Sequence, residues 1–258
     1  MLIHDEGTLT MQTSSSQRHI FPTSDAAAQA VAAHIISTVK AKPNAVLGLA
    51  TGATMEPVYA HLIAAYKRGD VRFSDVSTFN LDEYAGLAPS DPGSYRSTMD
   101  RLFFDHVDID KTKTFLPEAS LDASAAAGND YEAMIIQAGG IDLQLLGIGR
   151  NGHIGFNEPG SAIDSRTRLV ELHEDTLAAN ARFFDGGKVP GSAITMGIGT
   201  ILSAREIVVL ATGAAKADAV RDAHCGSFSP DCPASALQTH NHVLWFLDSA
   251  AASTRFAA

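Results

Sequence analysis

The chain of 258 residues contains only two cysteines, Cys225 and Cys232. Two thiols cannot build a disulfide framework, and they lack the partner pair of a zinc site. They read as reduced thiols of a cytoplasmic protein. Long apolar runs are also missing; none approaches the roughly 20 residues that cross a bilayer. Basic stripes are absent: 19 Lys and Arg stand against 29 Asp and Glu, for a net charge of −10. That balance excludes a nucleic-acid binder as the expected class. A phosphorylated ligand would need a locally basic pocket. The start has no basic segment followed by an apolar one, so a secretory leader is not expected. Residues 1–18 are polar, with serines at 14, 15 and 16. We expect a flexible arm over residues 1–20 and a single domain over 21–258. No internal repeat or linker interrupts it.

What the chain does have is alternation. With 45% hydrophobic residues it can bury one large core. Ser24 is positioned to cap a helix over 25–40, which Pro43 closes off. Strand-like runs are predicted at 45–50, 76–81, 112–116, 141–148, 206–211 and 243–247. Helical patterns are predicted at 56–67, 95–104, 123–138, 175–184, 193–202 and 214–224. Strands joined through helices imply an α/β fold, with a mostly parallel central sheet and helices on both faces. Right-handed crossovers then gather the loops that follow the strands on one rim. These loops carry 51–54, 82–84, 151–158 and 212–216.

The richest of them follows the apolar run 141–148. Glycines at 147, 149, 152 and 155 surround Asn151 and His153, and Glu158 lies five residues beyond the histidine. Ligands bind at the carboxyl ends of strands in open parallel sheets. A histidine with a carboxylate there suits proton transfer. A loop histidine satisfied by the backbone is the simpler alternative. Asp82 and Glu83 directly follow another apolar strand, and one partly buried carboxylate there could act as a base; either could equally be a loop or cap residue. Thr51-Gly52-Ala53-Thr54 lies between a strand and a helix, where free amides make an anion site. Thr212-Gly213-Ala214-Ala215-Lys216 repeats the arrangement. A lysine in a first helical turn is electrostatically out of place unless an anion is bound; an ordinary βα turn with capping threonines in the first loop, and a solvated lysine in the second, are the simpler alternatives. Arg166, Arg168 and Arg182 could hold phosphate or form surface ion pairs. No third ligand has the spacing for a metal. His240 and His242 read as surface histidines.

Taken in order, these segments resemble the glucosamine-6-phosphate deaminase/isomerase family. The likeness runs from about Phe21 to Asp248. It rests on Thr51–Thr54, Phe79-Asn80-Leu81-Asp82-Glu83-Tyr84, Ser94-Tyr95, the stretch Gly152–Pro159, Ser165-Arg166-Thr167-Arg168, Ala179–Phe184 and Pro233–Gln238. The related 6-phosphogluconolactonases share the glycine-histidine core but not the Phe-Asn-Glu-Pro continuation. The resemblance implies a modified Rossmann-type fold without nicotinamide, cofactor or metal. It implies conversion of glucosamine 6-phosphate and water to fructose 6-phosphate and ammonia; the alternatives are the same chemistry on the C4 epimer galactosamine 6-phosphate, a 6-phosphogluconolactonase, and a non-catalytic sugar-phosphate sensor. His153 would assist ring opening with Glu158 as partner, and Asp82 would move the C2 proton to C1. Thr51, Gly52, Ala53, Thr54, Arg182 and Lys216 would hold the phosphate.

Two departures from the family stand out. Asn151 occupies a position where many members carry Asp, which would place more of the relay on Glu158. Val170 replaces a lysine used by regulated members, so weak or absent activation by N-acetylglucosamine 6-phosphate is implied. The expected partner is a small amino-sugar phosphate, with neither nucleic acid nor membrane. Self-association into a homo-oligomer stays open.

Overall fold

The computed structural model describes residues 15–118, 125–181, 184, 189–225 and 227–253. Seven strands form one sheet: β1 (Ser15–Phe21), β2 (Val46–Leu49), β3 (Ser77–Asn80), β5 (Thr114–Phe115), β6 (Leu143–Leu146), β9 (Glu206–Ala211) and β10 (His242–Asp248). Their spatial order is β1-β10-β9-β6-β2-β3-β5, and every adjacent pair is parallel. The central strands β2 and β6 are buried along their whole length. Strands covered on both sides must be apolar throughout, as Val46-Leu47-Gly48-Leu49 nearly is. Around the sheet lie α1 (Ser24–Ala41), α2 (Glu56–Lys67), α3 (Tyr95–Leu102), α4 (Ala125–Gln137), α5 (Glu174–Asn180), α6 (Ile198–Ile201) and α7 (Ala217–Cys225). Among the described residues no helix is long and apolar enough to cross a membrane.

A second sheet carries three antiparallel strands, β4 (Asp82–Tyr84), β7 (Arg168–Glu171) and β8 (Ser192–Thr195), in the order β4-β8-β7. It was not foreseen. The segment 193–202, expected to be a helix, is instead β8 followed by the single turn α6. Ala193, Ile194 and Thr195 are buried between two strand partners. Those cross-strand contacts override a weak helical pattern. Leu81 links the two sheets. Its N–H donates to Leu49 of β2 (2.9 Å), and its carbonyl accepts from Met196 beyond β8 (2.7 Å).

Two local expectations change at the amino end. The α1 cap is Thr23, whose Oγ1 accepts from Ala26 N at 3.1 Å, and Ser24 is already helical. Residues 15–20, assigned to a flexible arm, form most of β1, a parallel edge strand in register with His242–Asp248. The polar sequence disguised it, because an edge strand gains its ladder bonds without needing an apolar side chain at every position.

Candidate active site

The rim above β2, β6 and β9 holds the segments singled out from sequence. Asp82 opens β4, opposite Thr195. It is 6% exposed, and among the described residues its carboxylate accepts no hydrogen bond. Burial pushes its acid up to about 8, and the neighbouring Glu83 charge adds to this. Gly155 lies over it with φ +57°, a conformation that L side chains rarely adopt. A β-carbon built there would stand 2.9 Å from Thr195 Oγ1 and 3.5 Å from Asp82 Oδ2. Glycine therefore lets the loop close down beside the carboxylate.

Glu83 does different work. Its Oε1 accepts from the backbone N–H of Tyr84 (2.9 Å) and Tyr95 (2.8 Å), and its Oε2 from that of Arg96 (2.8 Å). It ties β4 to the exposed amides at the start of α3, where a carboxylate is favoured. Burial raises its acid, and the three amides pull against that rise. The adjacent carboxylates differ in their partners: Glu83 is taken up by three backbone amides, and Asp82 accepts no hydrogen bond from the described residues.

His153 sits on a tight turn. Gly149 N donates to His153 O at 2.8 Å, and His153 N donates to Asn151 Oδ1 at 3.2 Å. The imidazole Nδ1 stands 3.4 Å from Glu158 Oε2, an ion-pair distance. Glu158 also accepts from Asn151 Nδ2 (2.7 Å) and from Thr176 Oγ1 (2.6 Å). Burial works to raise the Glu158 acid, but the pair with His153 and the bonds from Thr176 and Asn151 outweigh it, lowering it to about 2. The carboxylate stays ionised beside the imidazole. Asn151 cannot supply a charge, yet it links both partners. The ring of Phe156 docks the following loop on β4, 5.7 Å from Tyr84 and stacked 6.2 Å from Tyr95.

The two loops read as anion sites flank this turn. In 51–54, Met55 N closes onto Gly52 O at 2.9 Å, and no side chain caps α2. Asn80 Nδ2 reaches Thr51 Oγ1 at 3.3 Å. Lys216 ends a short turn before α7 and is partly buried. Burial lowers its ammonium pKa, and the charge of Arg150 lowers it further. Arg182 lies outside the described residues. The structure thus brings Asp82, Asn151, His153, Glu158, Thr51, Gly52, Ala53, Thr54 and Lys216 to one rim.

Three residues of this neighbourhood escaped the sequence reading. Thr176 lay in an expected helix and carried no motif. Asn157 is fully buried; its Nδ2 donates to Ile154 O (2.9 Å) and Met196 O (2.8 Å), and its Oδ1 accepts from Arg168 (2.9 Å). Asn80 was quoted as part of a motif without a role. The other arginines separate. Arg166 pairs with Glu132 at 3.0 Å, a carboxylate that Thr167 and Thr200 also bind. Arg168 lines a pocket of about 360 Å³ with Glu158, Ser161, Val170 and Glu171. Among the described residues no group of three or more ligating side chains could hold a metal.

Comparison with known proteins gives the family. Residues 22–245 match the family model of glucosamine-6-phosphate isomerases/6-phosphogluconolactonase. A glucosamine-6-phosphate deaminase of Rhodopirellula baltica is 53% identical over 235 residues, covering 91% of this chain and 94% of its own. One from Bacillus velezensis is 49% identical, covering 91% and 96%. The solved structure of a monomeric glucosamine-6-phosphate deaminase superimposes with a TM-score of 0.90 at 46% identity, covering 93% of this chain and all of that one. A 6-phosphogluconolactonase from Leishmania guyanensis shares the fold, with a TM-score of 0.73 at 20% identity. The chain belongs to the glucosamine-6-phosphate isomerase/6-phosphogluconolactonase family.

Proposed function

We propose that this protein is a cytoplasmic glucosamine-6-phosphate deaminase, built as one domain and working without metal or organic cofactor. It converts glucosamine 6-phosphate and water to fructose 6-phosphate and ammonia. The observation that carries the reading is Asp82, a buried carboxyl that accepts no hydrogen bond among the described residues, its acid pushed up to about 8. A base for a carbon acid needs such a poise. Identity near 50% to named deaminases along almost the whole chain supports the choice within the family.

In this reading the phosphate is held by Thr51–Thr54, Arg182 and Lys216. His153, backed by ionised Glu158 and Asn151, relays the proton between the ring oxygen and the C1 hydroxyl as the pyranose opens. Asp82 then removes the C2 proton; the pair of the broken C2–H bond forms the C1–C2 double bond, the C1 carbonyl pair moves onto O1, and O1 gains the proton that the substrate ammonium loses, giving an enolamine. Returning that proton to C1 leaves a C2 imine, which water hydrolyses to the ketone and ammonia. The substrate ammonium would lower the Asp82 acid on binding, because a nearby cation favours the carboxylate.

The test mixes purified protein with glucosamine 6-phosphate in the presence of a chelator and measures both products. Equal amounts of ammonia and fructose 6-phosphate are expected. Silence here, with turnover of galactosamine 6-phosphate or acid release from 6-phosphogluconolactone, would overturn the reading. Adding N-acetylglucosamine 6-phosphate is expected to change KM less than about twofold, since Val170 and Glu171 line the Arg168 pocket without adding a cation.

A further inference from the structure

Three consecutive strands of the parallel sheet, β9, β6 and β2, end side by side. The loop after β9 carries Lys216, and the loop after β2 carries Thr51–Thr54. Between them lies the turn after β6, whose tip is Arg150. Gly149 N bonds to His153 O (2.8 Å), and Ala234 N donates to Gly152 O (2.8 Å), so the turn is pinned on both flanks of the arginine. Arg150 is exposed. Among the described residues neither Arg150 nor Lys216 has a carboxylate partner, although the chain carries ten more acidic than basic side chains. Yet the two cations sit close enough for the Arg150 charge to act on Lys216. Unpaired like charges held together by a rigid frame are unfavourable, and a dianion between them removes the conflict. A merely solvated arginine would need neither the pinned turn nor the neighbouring lysine.

We infer that Arg150 is a further phosphate-binding residue, closing on the substrate phosphate from the catalytic turn while Lys216 and the 51–54 amides hold it from either side. A guanidinium offers a planar pair of donors suited to phosphate oxygens. Because Arg150 and His153 share one short turn, the grip on the phosphate also sets the position of the imidazole. This rests on the phosphate placement proposed above.

The test compares wild type with Arg150→Ala and Arg150→Lys. Arg221→Ala serves as the control, removing a partly exposed cation of α7 that pairs with Asp218 and Asp222. Loss of a charge-assisted contact raises KM for glucosamine 6-phosphate about tenfold or more in Arg150→Ala. Competitive inhibition by inorganic phosphate weakens to the same degree. Arg150→Lys recovers part of both, and Arg221→Ala changes neither. Unchanged KM and unchanged phosphate inhibition in a folded Arg150→Ala protein would overturn the inference. Calorimetric titration with inorganic phosphate separates the two proposals. A wild type that binds phosphate but releases no ammonia sinks the deaminase reading alone, and Arg150→Ala binding phosphate as well as wild type sinks the Arg150 inference alone.

Discussion

Replacing Asp82 with asparagine should make the protein more stable and inactive. The acid stands at about 8 in the folded protein against an ordinary 3.8, a gap of about four pH units. At about 1.4 kcal/mol per pH unit, holding the ionised form buried costs on the order of 5 kcal/mol. The folded state keeps its proton more tightly than the unfolded chain. The stability contributed by the protonated carboxyl is therefore fully present below about pH 4. It declines as pH rises and is lost once pH passes through about 8. Asparagine has nearly the same shape and cannot ionise, but its amide also enters a buried place, which offsets about 1–2 kcal/mol. At pH 9 the variant should resist urea better than wild type by on the order of 3 kcal/mol, and at pH 4.5 the advantage should vanish. Trp245 is the only tryptophan and is buried, so its fluorescence reports the unfolding. Turnover should fall by at least about 100-fold, the span assigned to a general base. In wild type, kcat/KM should rise with pH through about 8. A stability difference that does not change with pH, or a variant that keeps most of its turnover, would refute the reasoning.

Other perturbations probe the neighbours. A methyl at Gly149 would lie 2.3 Å from the His153 ring, so Gly149→Ala should displace the imidazole by about an ångström and cut kcat about 100-fold with a small change in unfolding midpoint; a rate within twofold of wild type would show the ring need not sit there. Glu83→Gln turns an amide group toward backbone N–H donors and should lower stability by about 2–3 kcal/mol in urea titration. It also removes a charge that raises the Asp82 acid, so the acid limb of kcat/KM should move to lower pH; an unmoved limb would deny that coupling.

The parallel sheet was readable because buried strands must be apolar and must alternate with helices. The 56–67 helix and the 206–211 strand appear with the bounds that periodicity predicted. That Asp82 and the His153 turn share one rim followed from the parallel sheet, since both follow the carboxyl ends of its strands, β3 and β6. The small sheet was invisible for a physical reason. β4 is three residues long, and β7 alternates an exposed Leu169 with half-buried neighbours, so neither carries a periodic signal. Their strand character comes from partners far along the chain. The same holds for Thr176, whose importance lies in one bond to a carboxylate 18 residues earlier. Glu83 could not be told from Asp82 until the amides of Tyr95 and Arg96 were placed beside it.

One chain of contacts bears on which sugars fit. Thr51 of the proposed phosphate loop touches Asn80, Asn80 is followed by Leu81, and Leu81 is bonded to both sheets immediately before Asp82. The anion grip and the proposed base are thus the two ends of a short rigid caliper, with no loop between them to stretch. An open-chain substrate must span that gap with the carbons between its phosphate and C2. A sugar one carbon shorter or longer would be seized by its phosphate yet present the wrong carbon to the carboxylate. In the proposed mechanism the backbone would set the span from phosphate to base, while side chains grip its two ends and read the hydroxyls.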